Sequence, residues 1–334
     1  MILVTGGTGL VGSHLLFELS KSQQKIRAIY RRKETIEKVR TIFSYYTDTI
    51  DKQFNRIEWM EADLNDIPQL TEAFVGITHV YHCAALISFA PNDYYLLRNT
   101  NVVGTENIVN LCILNAVQKL CYVSSVATMG HDPVKITEET NWHSDEIKNV
   151  YAITKHEAEM EVWRGVQEGV PSVIVNPGVI IGPGFFKSGS GLLFKLVHKG
   201  LKYNTAGVSG YVDVSDVIKS MLLLMNSDIE NERYIVVGEN ISFFDFTALI
   251  SKGFGMTPAK KIVPRWMLSI AWRLDWVKHK FTGKKRHLTK NLCKTLGHKN
   301  YYSADKFLEN QKDFKFKPIS ESVSEVCQIF LEDV

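Results

Sequence analysis

The chain has 334 residues, 45% of them hydrophobic, which is enough for one large domain or two smaller ones around a sizeable core. Its 39 basic and 36 acidic residues leave a net charge of +3, too small an excess to indicate a nucleic-acid-binding protein. The longest apolar stretch, residues 170–186, is broken by prolines and glycines, which excludes a membrane span. A strand that starts at Met1 leaves no room for a signal peptide, and five cysteines without a C-x-x-C pair are typical of free thiols in a cytoplasmic protein. The scattered histidines predict no metal site.

A glycine-rich turn lies between a predicted strand over 1–4 and a predicted helix over 13–19. Gly6 would let the chain leave the strand sharply, Gly9 would let backbone approach a pyrophosphate, and Gly12 would let the helix pack closely. The pyrophosphate would rest on free amide groups at the helix N-terminus, which favours a dinucleotide-binding turn over a glycine-rich hairpin turn. The candidate cofactor contacts of this turn are Gly6, Gly9, Leu10, Val11 and Gly12.

The end of the second predicted strand, residues 25–30, carries a basic cluster. An acidic residue at this position binds the ribose 2′-hydroxyl of NAD, whereas Arg accommodates the 2′-phosphate of NADP. Here Arg31, Arg32 and Lys33 occupy the position, and the next acidic residue is Glu34. Because a guanidinium suits a phosphate, the cluster favours NADP, with NAD as the alternative cofactor. Solvated residues at the start of a surface helix would leave the same pattern.

An acidic residue follows the third predicted strand. The pattern predicts a helix over 34–50 and a strand over 56–60, and Asp63 and Leu64 come next. In a doubly wound sheet this position lies near the adenine, so Asp63 is a candidate to accept a hydrogen bond from the exocyclic amine, with Leu64 beside it. The alternative is that Asp63 caps the helix that starts near Ile67.

Small residues follow the fourth predicted strand, residues 77–82. Ala84 and Ala85 would let a cofactor's ribose and phosphates lie close to the backbone.

A helix over 93–116 comes next and contains Asn101. A buried Asn in a helix needs a polar partner, so Asn101 is a candidate site residue, and a solvent-facing position is its alternative.

The fifth predicted strand, residues 119–125, ends in a pair of serines, of which Ser125 is the second. The carboxyl edge of a parallel sheet is where such folds bind ligands. A polar loop separates this strand from a helix over 146–167, on which Tyr151 and Lys155 are four residues apart. Side chains at that spacing share one face of a helix and can point into one cleft.

The tyrosine and the lysine predict proton-transfer chemistry. A phenol with a pKa near 10 is a poor acid or base at neutral pH, and a neighbouring ammonium lowers that pKa. Ser125 would donate to a substrate oxygen while Tyr151 exchanges the proton, and Asn101 would tie Lys155 to a bound water. The spacing alone is weak evidence because Tyr302 also has a lysine four residues on. Tyr151 differs from Tyr302 because its helix follows the strand that ends in the two serines.

A sixth strand over 170–175 leads into a turn with Pro177 and Val179, whose backbone is a candidate partner for a nicotinamide carboxamide. The alternation of strands and helices predicts the α/β class: a Rossmann-type doubly wound parallel sheet with a smaller C-terminal α/β substrate lobe. The predicted domains are a dinucleotide-binding domain over 1–183 with part of 205–240, and a substrate-binding lobe over most of 184–334.

One helix of the predicted lobe, over 264–281, has two interpretations. Its apolar residues fall at helical spacing, and a basic run over 284–287 follows. A helix on a membrane surface has this pattern, and so does the commoner core helix.

Taken together and in order, these motifs resemble the extended short-chain dehydrogenase/reductase family, of the NAD-dependent epimerase/dehydratase type. The resemblance covers essentially the whole chain. It implies that Ser125, Tyr151 and Lys155 are catalytic, with Asn101 as a helper, and that the substrate is a small molecule. It leaves the oligomeric state open, and the assembly that we consider is a homodimer. The motifs that carry it are Thr5–Gly12, Asp63-Leu64, His82–Ala85, Asn101, Ser124-Ser125, Tyr151-x-x-x-Lys155, Asn176-Pro-Gly and Gly182-Pro183.

Within that family the chain most resembles the dihydroflavonol-4-reductase and 3β-hydroxysteroid dehydrogenase-like branch. This implies a ketone/alcohol oxidoreductase for a bulky apolar substrate. The residues Ser125-Val126-Ala127 stand where sugar-nucleotide dehydratases carry Thr-Asp-Glu, which disfavours water elimination. An NAD-dependent nucleotide-sugar epimerase is the alternative, and a non-catalytic cofactor-binding protein is a third hypothesis. The aromatic candidates for lining the pocket are Phe89, Phe185, Phe186, Tyr203 and Tyr211.

Overall fold

A seven-stranded parallel sheet is the centre of the fold. The computed structural model describes residues 1–143, 149–264, 266, 267, 270, 272–276 and 297–333. Its main sheet has the strand order β10-β6-β5-β4-β1-β2-β3, with every pair parallel. The strands are β1 Ile2–Thr5, β2 Ile26–Tyr30, β3 Ile57–Glu61, β4 His79–His82, β5 Lys119–Val123, β6 Ser172–Pro177, β7 Val179–Ile181, β8 Tyr203–Asn204, β9 Val208–Asp213, β10 Glu232–Val236, β11 Glu239–Ser242 and β12 Lys261–Ile262.

Helices cover both faces of this sheet, as parallel strands require. The described helices are α1 Leu10–Ser20, α2 Ile36–Ser44, α3 Ile50–Phe54, α4 Ile67–Ala73, α5 Tyr94–Leu97, α6 Gly104–Leu114, α7 Val150–Gln167, α8 Gly191–His198, α9 Val214–Met225, α10 Phe243–Gly253, α11 Asp305–Asn310 and α12 Ile319–Asp333. A π-helical turn, Arg98–Val103, joins α5 to α6. None of the helices in the described ranges is long and apolar enough to cross a membrane.

The core divides between the two faces because successive strand residues point to opposite sides. On β1, Val4 packs on the face covered by α1 and α9, whereas Leu3 packs on the face covered by α6 and α7. On β5, Cys121 and Tyr122 are separated in the same way. The strand order reverses between β1 and β4, and a crevice at such a switch point is where doubly wound sheets bind ligands.

A further hydrophobic cluster lies apart from the two faces of the main sheet and is called the second cluster below. A three-stranded sheet, in the order β11-β9-β7, packs with α8, α10 and α12 around buried side chains such as Phe194, Phe246 and Phe330. The chain returns to the main sheet in between, since β10 pairs with β6. The predicted fold class, a Rossmann-type doubly wound sheet, is confirmed.

Several predicted elements differ from those of the structure. The helix expected over 34–50 is two helices, α2 and α3, and the helix expected over 93–116 is interrupted by the π-helical turn. Most of the helix predicted over 264–281 lies outside the described residues, although Trp266 and Leu274 are described and are exposed. All four cysteines in the described part of the chain carry free thiols, and Cys293 lies outside it.

Candidate active site

The glycine turn leads from β1 into α1 at the switch point of the sheet. Gly6 has a φ of +66°, and a Cβ there would lie 2.5 Å from the backbone nitrogen of Ala84. A Cβ at Gly12 would lie 2.2 Å from the carbonyl oxygen of Gly6, so this pair of positions requires glycine. Gly9 precedes α1 and offers no side-chain cap, which leaves the first amides of the helix, including those of Leu10 and Val11, to bind a ligand. The turn therefore fits a pyrophosphate.

Arg31 and Asp63 meet at the carboxyl ends of β2 and β3. The guanidinium Nη1 lies 3.9 Å from the carboxylate Oδ2, and both side chains are exposed. The cap of α4 is Asp66, whose carboxylate accepts from the amide of Gln69, so the capping alternative for Asp63 is wrong. Leu64 is buried, its side chain lies against Gly104, and its carbonyl accepts from the Asn107 side chain at 2.8 Å.

Ser125 and Tyr151 lie together at the carboxyl edge of the sheet. Ser125 follows β5, and Tyr151 lies at the start of α7, whose residues pack against the turn after Ser125. Desolvation raises the pKa of Tyr151 to about 12, and the nearby Ser125 hydroxyl acts against this rise. Ser124 points away from the site and donates to the Glu159 carboxylate at 2.5 Å. The structure thus brings the second serine, and not the first, to the tyrosine.

Lys155 is buried one helical turn beyond Tyr151, on the same side of α7. Its ammonium donates to the Tyr122 hydroxyl at 2.6 Å and to the Val123 carbonyl at 2.9 Å. Desolvation lowers the pKa of Lys155 to about 7, while Glu159 and Cys83 act in the opposite direction. The expectation that Lys155 lowers the pKa of Tyr151 is wrong, because burial outweighs any such effect.

Asn101 is buried in the π-helical turn, so its solvent-facing alternative is wrong. Its Oδ1 accepts from the Leu86 amide at 2.7 Å, and its Nδ2 donates to the Leu86 carbonyl at 3.1 Å and to the Thr154 hydroxyl at 3.3 Å. The side chain therefore fixes the segment after β4 against α7. The link from Asn101 through a water to Lys155 stays a prediction.

Glu159 is a buried carboxylate that binds side chains from the region around Ser125. Glu159 accepts from Asn176 at 2.9 Å and from Thr128 at 2.9 Å, and it pairs with the Arg233 guanidinium at 3.0 Å. These contacts join α7 to the ends of β5, β6 and β10. Sequence reasoning missed Glu159, although its spacing of four from Lys155 places the two side chains on one helix face.

The other residues predicted to contact the coenzyme lie near the switch point and at the start of the second sheet. Ala84 lies against Gly6, and Ala85 is exposed after it. Pro177 ends β6 as a buried residue, and Val179 starts β7, which pairs with β9. The turn between them therefore leads from the main sheet into the second sheet.

Among the five aromatic candidates, Phe89 makes a ring contact with Tyr151. The Phe89 ring meets Tyr151 edge to face, with the ring centroids 5.8 Å apart. Tyr211 stacks on Phe246 and Phe186 packs on Phe330, so both belong to the second cluster. The two remaining candidates are Phe185, which is half-buried, and Tyr203, which is exposed.

A doubly wound sheet with an uncapped helix after its first strand, and a Ser-Tyr-Lys set at its carboxyl edge, defines a dinucleotide-dependent enzyme. The chain belongs to the NAD dependent epimerase/dehydratase family, whose model matches residues 2–238. It is an NAD(P)-dependent enzyme of the extended short-chain dehydrogenase/reductase type. The resemblance inferred from the motifs is confirmed.

Similar proteins span most of the chain. The "Putative dihydroflavonol 4-reductase" of Synechocystis sp. is 29% identical over 92% of this chain and 88% of that protein. Sterol demethylase protein B of Methylococcus capsulatus is 27% identical, covering 84% and 82% of the two chains. Cinnamoyl-CoA reductase 1 of Petunia hybrida is 26% identical, covering 77% and 78%.

Solved structures share the fold over nearly the whole chain. The crystal structure of gox2253 has a TM-score of 0.82 at 24% identity, covering 100% of this chain and 98% of that one. The Bordetella bronchiseptica enzyme WbmG, solved in complex with NAD, has a TM-score of 0.74 at 18% identity, covering 99% and 94%. At these identities the likeness concerns the fold.

Proposed function

We propose that the protein is an NADP-preferring oxidoreductase that interconverts a ketone and an alcohol on a bulky apolar substrate. The observation that carries the proposal is the grouping of Ser125, Tyr151 and Lys155 at the carboxyl edge of the sheet, where Lys155 is buried and bonded to β5. Because the pKa of Tyr151 is raised to about 12, its phenol is protonated at neutral pH. A protonated phenol is equipped to act as the general acid that ketone reduction needs.

The protein's own groups have separate tasks in this reaction. When bound, the nicotinamide coenzyme supplies or accepts the hydride. Ser125 donates a hydrogen bond to the substrate oxygen and thereby stabilises the negative charge that develops there. Tyr151 breaks its O–H bond and passes the proton to that oxygen, which yields the alcohol. The Lys155 ammonium would hold the coenzyme ribose and stabilise the phenolate that Tyr151 becomes.

Coenzyme contacts are proposed at three places. The glycine turn and the first amides of α1 would bind the pyrophosphate. Arg31 would bind the 2′-phosphate, since a guanidinium recognises phosphate oxygens with two parallel hydrogen bonds. Asp63, Leu64, Ala84, Ala85, Pro177 and Val179 complete the proposed set, along the carboxyl ends of β3, β4 and β6.

The substrate class rests on the surroundings of Tyr151 and on the similar proteins. Phe89 places an apolar ring beside the catalytic phenol. Relatives named for dihydroflavonol and cinnamoyl-CoA reduction, and one named for sterol demethylation, share most of the chain. We propose that residues 184–334 supply most of the substrate lobe. The free thiols support a cytoplasmic location.

A coenzyme titration followed by a substrate panel tests this function. Quenching of intrinsic tryptophan fluorescence should show NADPH binding more tightly than NADH. Purified protein with NADPH should then reduce members of a panel of aromatic and polycyclic ketones, measured by loss of coenzyme absorbance. Tighter binding of NADH, together with interconversion of nucleotide-sugar epimers without net coenzyme turnover, would contradict the proposal and favour the epimerase.

A further inference from the structure

Tyr122 connects the serine strand to the buried lysine. It lies on β5 three residues before Ser125, is fully buried, and points to the face covered by α6 and α7. The Lys155 ammonium donates to its hydroxyl at 2.6 Å and lies 4.2 Å from the centroid of its ring. With the Val123 carbonyl at 2.9 Å, two acceptors of β5 fix the ammonium. The strand that carries Ser125 therefore also sets the position of Lys155.

A short chain of buried hydrogen bonds packs against the Tyr122 ring. The His82 ring stacks on the Tyr122 ring, with the ring centroids 5.4 Å apart. Thr105 donates its hydroxyl proton to the Asn101 carbonyl at 2.5 Å, so its oxygen accepts from His82, whose Nε2 lies 2.9 Å away. These contacts fix the Tyr122 ring, whose hydroxyl oxygen accepts from Lys155.

The same chain reaches the base of the glycine turn. Burial lowers the pKa of His82 to about 3, so the imidazole is neutral at physiological pH. With Nε2–H donated to Thr105, the ring nitrogen Nδ1 accepts from the Thr5 hydroxyl at 2.6 Å. Thr5 immediately precedes Gly6. His82 on β4 thus joins Thr105 on α6 to Thr5 at the glycine turn, and its ring stacks on Tyr122.

We infer that Tyr122 is a positioning residue that holds the Lys155 ammonium for catalysis. The inference deepens the proposed function and rests on it for its effect on turnover.

The charge of Lys155 depends on groups from each element around it. Glu159 on α7 and Cys83 after β4 favour the ammonium, whereas burial opposes it. His82 is neutral, and Tyr151 on α7 carries a raised pKa and stays protonated. Among these neighbours, Tyr122 is the side chain whose hydroxyl accepts directly from Nζ. Its removal should make the neutral amine more favourable.

The test replaces Tyr122→Phe and follows Lys155 directly. Titration of the lysine side-chain ¹³Cε and ¹⁵Nζ signals, assigned with Lys155→Met, should show the pKa of Lys155 about one pH unit lower in the variant. At pH 8, kcat for reduction should fall about tenfold, with a smaller effect at pH 6, where both proteins keep more of the ammonium. The KM for the ketone should change little.

Tyr81→Phe is the matched control. Tyr81 is a fully buried tyrosine on the neighbouring strand, but its ring belongs to the cluster on the opposite face of the sheet. The change should leave both the Lys155 titration and kcat as in the parent protein.

The inference is overturned if the Lys155 titration is the same in Tyr122→Phe and in the parent protein. It is also overturned if Tyr81→Phe lowers the pKa of Lys155 equally. Failure of the proposed function has a different signature: the parent protein would bind no NADPH and reduce no ketone, while the NMR titration would still report on the bond from Lys155 to Tyr122.

Discussion

Arg31 and Asp63 form an open ion pair, with Nη1 and Oδ2 separated by 3.9 Å at the ends of β2 and β3. Both side chains are exposed, so the pair contributes little to stability and its guanidinium can turn to another anion. A 2′-phosphate carries more charge than the carboxylate and would be the stronger partner. The relationship makes Arg31 the position on which coenzyme preference should depend.

Arg31→Ala is therefore expected to weaken NADPH binding by about tenfold to a hundredfold, since it removes a charge-assisted hydrogen bond. Binding of NADH, which lacks the phosphate, should change by less than about threefold. Fluorescence titration of both coenzymes measures the difference. Arg40→Ala is the control, because Arg40 pairs with Asp51 on the neighbouring helices. Equal losses for NADPH and NADH would contradict the assignment.

The pH dependence of ketone reduction should follow Lys155 and not Tyr151. Tyr151 keeps its proton to high pH, because its pKa is about 12. Lys155 has a pKa of about 7, so its charge is complete below that pH and is lost as the pH rises through it. We expect kcat/KM to be constant at low pH and to fall above about pH 7. A rate that stays constant from pH 6 to 9 would count against a role for the ammonium.

Acid should destabilise the fold through a histidine that is buried in its neutral form. Burial lowers the pKa of His14 to about 4 from its ordinary value of 6.5. Between those values the unfolded chain binds more protons than the native one, so stability is lost as the pH falls. His14 alone should cost about 2 kcal/mol between pH 7 and pH 5. Urea unfolding of His14→Leu at both pH values should show a smaller loss than the parent protein.

The buried pair of Glu159 and Arg233 should be needed for stability. Glu159 is fully buried, and its partner Arg233 is mostly so. Glu159→Gln should lower the free energy of unfolding by about 3 kcal/mol, because it leaves the guanidinium without its buried counter-charge. Adding Arg233→Met should restore part of that loss, as measured by chemical denaturation. A double variant that loses the sum of the two single losses would show that the pair is not coupled.

Local patterns predicted the elements that depend on short-range sequence. The glycine turn, the basic end of β2 and the Tyr-Lys spacing are all readable within a few residues, and the alternation of strands and helices gives the doubly wound sheet. The resemblance to the extended reductases added the roles of Ser125, Tyr151 and Lys155. The structure brings these three to one edge of the sheet.

The features that sequence reasoning missed depend on contacts between distant elements. The bond from Tyr122 to Lys155 spans 33 positions and requires the packing of α7 on β5. The π-helical turn that buries Asn101 has no simple periodic signal. The four-residue spacing from Lys155 predicts a lowered pKa for Tyr151, whereas burial, which depends on the packing of distant elements, raises it.

Tyr151→Phe tests the central claim most directly, since it removes the proposed proton donor and little else. We expect kcat for ketone reduction to fall by about 10²–10⁴-fold, while the Kd for NADPH, measured by tryptophan fluorescence, stays within about twofold of the parent value. A variant that reduces the same ketone at the parent rate, with NADPH still bound, would contradict it.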